Sequence, residues 1–299
     1  MTSLELRPRL ATEIVDAAFQ LYRRHFAELV SLSALAFVPY IVVQLLLTGG
    51  DPVEPTVAGA MTASVVLVFG WVIGSIMEAA VVVGVSNSYL HGKPDVPEAL
   101  RRTFARLGAV LFSVSAKWFL IALGFMAAIM VGGFTSALIA VGAGTAGAGA
   151  GLLAAILMIG VFAIAIPVGL FFFASFFAVP ATVILEGVGV GAGLRRSRVL
   201  SRGIRRRILG ALGIPMLLFM VFQLTVAGIA QFLPGPRLVG FLAEQVVTII
   251  AYPIIAVIAT LLYYDARIRK EGFDIERMAA ELEPSRDPLY AHPSASPPA

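Results

Sequence analysis

The sequence predicts an all-α integral membrane protein with six transmembrane helices. Of its 299 residues, 59% are hydrophobic and 13% are charged, about half of the roughly 25% charged residues found in soluble domains. The mean hydropathy is +0.92. The apolar residues also gather into six runs, each long enough at about 1.5 Å per residue to cross a hydrocarbon core of about 30 Å.

Residues 1–28 are predicted to form a cytoplasmic segment with a short amphipathic helix at the membrane interface. Between Thr12, the expected N-cap, and Phe26 the apolar residues recur at helical spacing. They are Ile14, Ala17, Ala18, Leu21 and Tyr22. Acidic residues and four arginines precede the first long apolar run, so a cleaved signal peptide is not expected.

Residues 29–264 are predicted to form the membrane domain. The six spans have approximate bounds of 29–47, 57–90, 107–131, 152–179, 208–232 and 241–264. Gly70 and Gly74 form a GxxxG face in the second span. After the third span, a Gly/Ala-rich tract at 141–151 predicts an outer loop or a loosely helical cap. Prolines that allow broken helices of the transporter kind are Pro39, Pro167, Pro180, Pro215 and Pro253.

The connection Leu194–Arg207 contains seven arginines and no acidic residue. As a helix, it places Arg195, Arg198, Arg202 and Arg205 on one side. Another side carries Ser197, Leu200, Ser201 and Ile204. This pattern is typical of a basic helix lying on a membrane surface. It predicts a determinant of topology and, compatibly, contacts with anionic lipid headgroups.

The distribution of basic residues predicts the orientation. Of the 22 Lys and Arg residues, all except Arg237 and Lys117 lie before the first span, between spans two and three, between spans four and five, or after span six. By the positive-inside rule, both termini face the cytoplasm, in a bacterial cytoplasmic membrane. Residues 265–299 are then a cytoplasmic tail with a brief helix at 275–282, disordered from about 283.

A faint internal repeat accompanies this pattern. Similar basic segments at 21–24, 99–103 and 193–197 each precede an apolar hairpin. They suggest three units, each a short interfacial helix followed by two spans. Basic flanks recur wherever positive-inside topology holds, so topology alone remains an alternative explanation.

Glu78 and Lys117 are the main candidates for a functional site inside the membrane. An ionisable group there costs roughly 3 kcal/mol unless it is paired or hydrated. Both lie at a similar depth, so a pair between spans two and three is geometrically possible. Three interpretations remain open: a structural ion pair, a substrate or proton site, and an unpaired arrangement in which the side chains reach toward water.

Other polar groups offer weaker signals. Gln223, Gln231, Glu244 and Gln245 are expected either to line a polar cleft or to form ordinary interhelical hydrogen bonds. Glu186 is expected to meet neighbouring arginines rather than act as a base. No catalytic residue is assigned.

Several site classes are excluded. The chain has no cysteine, and its three histidines lie far apart in sequence, so neither a metal site nor a cofactor is expected. Nucleic acid is not an expected partner, because the basic residues follow membrane topology. The expected partners are the lipid bilayer and anionic lipids, whereas a protein partner or a homo-oligomer stays undetermined.

Several stretches together resemble one family of bacterial membrane proteins. They are LRPR at 6–9, EIVDAAFQLYRRHF at 13–26, VPATVILEG at 179–187, LRRS at 194–197 and LLYYDARIRKEGFDIE at 261–276. The chain is similar to the glycerophosphoryl diester phosphodiesterase membrane-domain family over nearly everything before Glu283. The resemblance implies a multi-span module that accompanies a phosphodiesterase domain in some relatives. That domain has no room here, and no activity is transferred.

These observations predict a non-enzymatic membrane protein in envelope or lipid-related transport or in membrane assembly. A transporter predicts a cavity near Glu78, Lys117 and the proline breaks, whereas a solid, dry bundle opposes it. A scaffold that binds anionic lipid or protein at the cytoplasmic face is the alternative. A lipid-active enzyme is a third hypothesis, for which only Glu186 and Asp265 are available at headgroup level.

Overall fold

The computed structural model describes residues 9–49, 56–142, 148–232, 237–273 and 275, which form helices and no strands. The helices are α1 Ala11–Arg24, α2 Phe26–Thr48, α3 Val57–His91, α4 Val96–Ala105, α5 Leu107–Gly142, α6 Ala148–Phe176, α7 Val179–Leu185, α8 Val190–Ser201, α9 Arg205–Ile208, α10 Ile214–Phe232 and α11 Arg237–Glu271. A π-helical turn, Leu209–Gly213, joins α9 to α10. Within these ranges, six helical stretches are long and apolar enough to cross a membrane. The predicted all-α fold with six such helices is confirmed.

The order of the elements agrees with the three predicted units. A short helix precedes each pair of long helices: α1 precedes α2 and α3, α4 precedes α5 and α6, and α8 precedes α10 and α11. The two long helices of each pair pack against each other. The short helix α7 lies between the second and third units.

The bundle is packed much more tightly at one end than at the other. Buried apolar side chains are concentrated in α1, α7 and the C-terminal halves of α3 and α11. Large exposed apolar side chains occupy the remainder, in the ranges 35–47, 57–71, 112–139, 152–171, 214–229 and 238–250. Such a surface is stable when it faces lipid chains. The core therefore sits at the end where α3 and α11 finish.

The helix α1 differs from the prediction of a helix lying on the membrane. Its five predicted apolar residues are all buried, but they pack into the protein core. At one end the Arg9 N–H donates to Asp265 Oδ1 at 2.8 Å, and at the other the Tyr22 hydroxyl donates to the Ile250 carbonyl. The two acceptors are fifteen residues apart along α11, so α1 runs antiparallel along α11 rather than across it.

Two helices extend beyond the bounds predicted for the spans they contain. The third span was placed at 107–131, but α5 continues to Gly142. A Cβ atom at Gly132 would lie 3.0 Å from Val161 of α6, so the absence of a side chain there permits the close packing that accompanies the continued helix.

The tail was predicted to begin at residue 265, but α11 continues to Glu271. Asp265 is only 3% exposed, because arginine side chains pair with its carboxylate. Of the predicted brief helix at 275–282, only Ile275 is described, and the predicted disorder from about 283 lies outside the described residues. So do residues 143–147 of the Gly/Ala-rich tract.

The fourth apolar stretch is broken near its C-terminal end. The helix α6 ends at Phe176 and α7 begins at Val179, with Pro180 in its first turn. Proline cannot donate a backbone hydrogen bond, which favours a break at this point. Pro39, Pro167 and Pro253, in contrast, lie inside continuous helices.

Candidate functional site

Glu78 of α3 and Lys117 of α5 form an ion pair within the bundle. Glu78 Oε1 and Lys117 Nζ lie 2.5 Å apart, and the two side chains are 16% and 7% exposed. The Lys117 ammonium also lies 5.3 Å from the centre of the Trp118 ring. The structure therefore brings the two residues together, which excludes the unpaired arrangement.

The ion pair stands at the wall of a cleft. A cavity of about 350 Å³ lies among α2, α3, α5, α10 and α11. Its lining includes Glu78, Trp118, Phe219, Gln223 and Tyr252. A second cavity of about 340 Å³ shares Phe37, Gly70 and Thr248 with the first and is lined by Gln245 as well. The lining is mostly apolar, and its polar side chains include Glu78, Gln223 and Thr248. We call these two adjoining cavities the polar cleft, after these side chains.

One side of the polar cleft carries a short hydrogen-bonded chain. The Gln223 amide donates from Nε2 to Thr248 Oγ1 at 2.9 Å, and the Thr248 hydroxyl donates to the Glu244 carbonyl at 2.9 Å. Gln223 Oε1 is buried and has no hydrogen-bond partner. A buried acceptor without a donor is unfavourable, so this atom weakens the packing of α10 against α11.

Of the glutamines expected to line a cleft, Gln223 and Gln245 do so. The side chain of Gln231 is outside the described part of the chain.

The two glycines of the predicted GxxxG face have different surroundings. A Cβ atom at Gly70 would lie 2.8 Å from the Tyr40 ring, whereas one at Gly74 would meet nothing within 4 Å. Both glycines border the polar cleft, and Gly70 in addition admits the Tyr40 ring from α2. The spacing in the sequence did not distinguish these roles.

The arginine-rich connection is only partly the helix that was predicted. The helix α8 ends at Ser201, and Arg202 has extended backbone angles. Gly203 then adopts φ 80°, a conformation that glycine tolerates without steric cost. The expected single face of four arginines is thus interrupted after Arg198, and the chain restarts as a helix at Arg205.

The four arginines divide into two groups. Arg195, Arg198 and Arg202 are exposed, and the Arg198 guanidinium lies 5.4 Å from the Phe176 ring centre. Arg205 is half-buried: its guanidinium lies 4.4 Å from the Phe171 ring centre and donates to the Ser175 hydroxyl at 3.1 Å. The first three are available to an external anion, whereas Arg205 contributes to packing of α9 on α6.

The opposite side of α8, including Ser197, Leu200 and Ser201, is buried against the protein, whereas the sequence predicted a helix lying on the membrane surface. Lys270 of α11 donates to the carbonyls of Val199 and Arg202 at 2.6 and 2.7 Å. These carbonyls belong to the C-terminal end of α8, where a cation is favourable. Within α8, the exposed arginines Arg195 and Arg198 and the buried residues Ser197, Leu200 and Ser201 therefore lie on different sides, as the helical spacing predicted.

Glu186 meets a neighbouring arginine, as predicted. Arg196 Nε lies 2.9 Å from Glu186 Oε2, and Arg196 Nη1 lies 2.5 Å from Glu271 Oε1. The Tyr263 hydroxyl also donates to Glu186, at 2.8 Å. Although burial opposes the charge on Arg196, the hydrogen bonds with Glu271 and Glu186 hold its pKa above the usual value.

Asp265 is the centre of a cluster that the sequence did not reveal. Its Oδ2 lies 3.0 Å from Arg269 Nε and 3.4 Å from Arg207 Nε, and the Arg269 guanidinium donates to the Arg9 carbonyl at 2.8 Å. Arg269 follows Asp265 at i, i+4 on α11, a spacing that the sequence already shows. Only the tertiary structure brings Arg9 and Arg207 to the same carboxylate.

Among the described residues, no group of three or more His, Asp or Glu side chains lies close enough together to hold a metal ion. The polar cleft and the exposed arginines are two features of the described residues that can contact a ligand.

The comparisons with known proteins identify a family for most of the chain. Residues 27–266 match the family described as a domain of unknown function, DUF7847. None of the curated proteins or solved structures compared with the chain matches it. The comparisons give no support to the expected relationship with glycerophosphoryl diester phosphodiesterase membrane domains.

Proposed function

The chain belongs to the DUF7847 family of domains of unknown function, and we propose that it is a carrier that binds a small polar or amphiphilic molecule in the polar cleft and moves it across a bacterial cytoplasmic membrane. The observation that carries this proposal is the position of the Glu78–Lys117 ion pair at the wall of a cavity. A transporter requires such a cavity, and a solid bundle lacks one.

A purely structural role for the ion pair is less consistent with the cavity beside it. A buried pair is at best weakly stabilising, because removing both charges from water costs several kcal/mol per ion. A cavity beside the pair forfeits packing as well. Substrate binding supplies a reason to retain both features, since Glu78, Gln223 and Thr248 together present hydrogen-bonding groups to one space.

The orientation forms part of the proposal. The basic residues lie at the end of the bundle that contains α1, α4, α8 and α9. By the positive-inside rule this end faces the cytoplasm. Both chain termini then lie on the cytoplasmic side, in agreement with an even number of spans.

Cysteine accessibility tests the carrier proposal directly, because the natural chain contains no cysteine. Thiolates form in water, so a charged maleimide labels only hydrated positions. Gly74→Cys places a thiol at the polar cleft, and Gly160→Cys is a matched control on α6; neither position has an atom within 4 Å of the new Cβ. Gly160 lies among exposed apolar side chains, including Ile156 and Ile159.

A carrier predicts labelling of Gly74→Cys both in right-side-out and in inverted vesicles, because the cleft opens alternately to the two sides. Gly160→Cys stays unlabelled in both. Labelling of Gly74→Cys from one side only, or from neither, contradicts the carrier proposal.

The exposed arginines favour a second role, the binding of anionic lipid at the cytoplasmic face. Arg195, Arg198 and Arg202 are exposed on or next to α8, and each basic residue near an anionic surface adds about 1 kcal/mol of attraction. Neutralising all three is expected to weaken binding to anionic liposomes strongly without changing orientation. Equal binding rejects this role.

A non-enzymatic function is also part of the proposal. Glu186 and Asp265 were the available carboxylates for a lipid-active enzyme. Both are already paired with arginine side chains, which occupy the carboxylate oxygens that a general base would present to a substrate.

A further inference from the structure

The polar cleft extends from the ion pair toward one end of the bundle and is closed toward the other. On α3 its lining runs from Glu78 back to Val66, and on α11 from Tyr252 back to Gln245. Beyond Glu78 and Tyr252, toward the end where α3 and α11 finish, the side chains are tightly packed. Fully buried there are Val81, Val83 and Val85 of α3 and Val257, Ile258 and Leu262 of α11. The closed end is cytoplasmic in the proposed orientation.

The helix α10 forms one wall of the cleft and is loosely held. It contributes Phe219 and Gln223 to the lining. None of the side chains described in α10, from Ile214 to Ile229, is buried, whereas α2, α3, α5, α6 and α11 each contain buried side chains. Few buried contacts are typical of elements that move. A displacement of α10 therefore reshapes the cleft without disrupting the core.

The segment that precedes α10 is, in contrast, fixed to the rest of the bundle. Ile208 and Leu212 are 0% and 2% exposed. Arg207 Nε lies 3.4 Å from Asp265 Oδ2 of α11. The chain thus changes from a fixed segment to a loosely held helix within a few residues.

The boundary between the two is the π-helical turn Leu209–Gly213. Such turns are rare and occur frequently at functional sites. A Cβ atom at Gly210 or Gly213 would meet nothing within 4 Å, so packing does not require glycine at either position. Glycine leaves the backbone freer than alanine does, and Pro215, in the first turn of α10, donates no backbone hydrogen bond. These are the properties of a hinge.

We propose that α10 is the movable wall of the polar cleft, which swings as a rigid helix about the π-helical turn and so changes access to the cleft. This inference rests on the proposed function and names the element that switches access to the same site. The swing moves Phe219 and Gln223 relative to Glu78. It leaves the Arg207–Asp265 pair in place, because Arg207 precedes the hinge.

The swing is tested by measuring distances between pairs of spin labels on the full chain in lipid bilayers. Leu224→Cys on α10 is paired with Val65→Cys on α3; the two natural side chains are 65% and 54% exposed. The matched control pairs Val65→Cys with Leu138→Cys on α5, where Leu138 is 58% exposed. The α10 pair is expected to give two distances, or a distribution about twice as wide as that of the control pair. Equal widths overturn the proposal.

The hinge is tested with Gly213→Ala in the Gly74→Cys chain. The added methyl group meets nothing within 4 Å, so the variant acts through the backbone and retains the fold. It is expected to change the ratio of maleimide labelling between right-side-out and inverted vesicles severalfold. Gly228→Ala is the matched control, because Gly228 also lies in open space but within α10, and it should leave the ratio unchanged. An unchanged ratio in Gly213→Ala, or equal changes in both variants, overturns the hinge.

The two proposals fail separately. If Gly74→Cys is labelled from one side only while the α10 pair gives the wide distribution, the carrier proposal falls and the movable wall stands. If Gly74→Cys is labelled from both sides while the α10 pair is as narrow as the control pair, the carrier stands and the movable wall falls.

Discussion

The Ser197 hydroxyl donates to the Ser175 carbonyl at 3.0 Å and accepts from the Ala178 N–H at 3.2 Å. It therefore bridges the break between α6 and α7 from a third helix, α8. Ser197 is fully buried, where water cannot replace it. A broken helix in an apolar setting needs such partners, because every backbone group there must be satisfied by the protein.

Ser197→Ala is expected to lower the free energy of unfolding by about 1–3 kcal/mol, because it leaves a buried N–H without its partner. Thermal unfolding of the purified protein measures the effect. Thr225→Ala is the control, since the Thr225 hydroxyl donates to the Val221 carbonyl within an exposed part of α10. Equal destabilisation by the two variants contradicts the bridging role.

Gly193→Ala is expected to destabilise the protein by about 1–3 kcal/mol through overpacking. The new Cβ would lie 2.6 Å from Val183 Cγ2 of α7. Gly191→Ala, also in α8, meets nothing within 4 Å and is expected to be neutral or stabilising by about 0.5–1 kcal/mol. Urea unfolding in detergent compares the pair, and a harmless Gly193→Ala argues against close packing of α7 on α8.

Breaking the Glu78–Lys117 pair from one side is expected to cost about 3–5 kcal/mol, because one charge is left buried without its partner. Glu78→Gln and Lys117→Met should each show this loss. The double variant should recover a large part of it, since no buried charge remains. Additive losses in this double-mutant cycle would show that the two groups are not coupled.

His25, at the junction of α1 and α2, is expected to make stability depend on pH. Burial lowers its pKa below the usual 6.5, the more so because Arg24 is nearby, although Glu28 acts in the opposite direction. The unfolded chain then binds a proton more readily than the folded chain. Stability is fully present above pH 6.5 and falls as the pH decreases through the folded pKa.

Thermal unfolding between pH 7.5 and 5.5 measures this dependence in a window above the carboxylate range. His25→Gln should flatten the profile of the Tm against pH. If the slope of Tm against pH is unchanged in His25→Gln, other groups cause the pH dependence.

Much of the fold was predictable because membrane insertion is governed by composition along the chain. The second span was expected at 57–90, and α3 covers 57–91. The apolar faces of α1 and α8 also followed from helical periodicity. At Asp265 the sequence suggests the end of a span, but α11 continues to Glu271, and the Asp265 carboxylate is paired with Arg207 and Arg269.

For the candidate site, the sequence indicated the residues but not their surroundings. Glu78 and Lys117 were conspicuous because charges are rare in an apolar run, and equal depth suggested a pair. The sequence left open whether a cavity or a solidly packed bundle lies beside them. It depends on how α10 and α11 approach α2 and α3, which is a property of side-chain packing between distant segments.

The sequence by itself determined the membrane class, the six long helices and the location of the charged groups, because burial in a bilayer depends on the apolar content of each local segment. Only the tertiary structure decided that α1 packs along α11 and that Ser197 supports the break before α7. It also decided that the Glu78–Lys117 pair lies beside the polar cleft. These features depend on contacts between residues far apart in the chain, and local hydropathy does not encode such contacts.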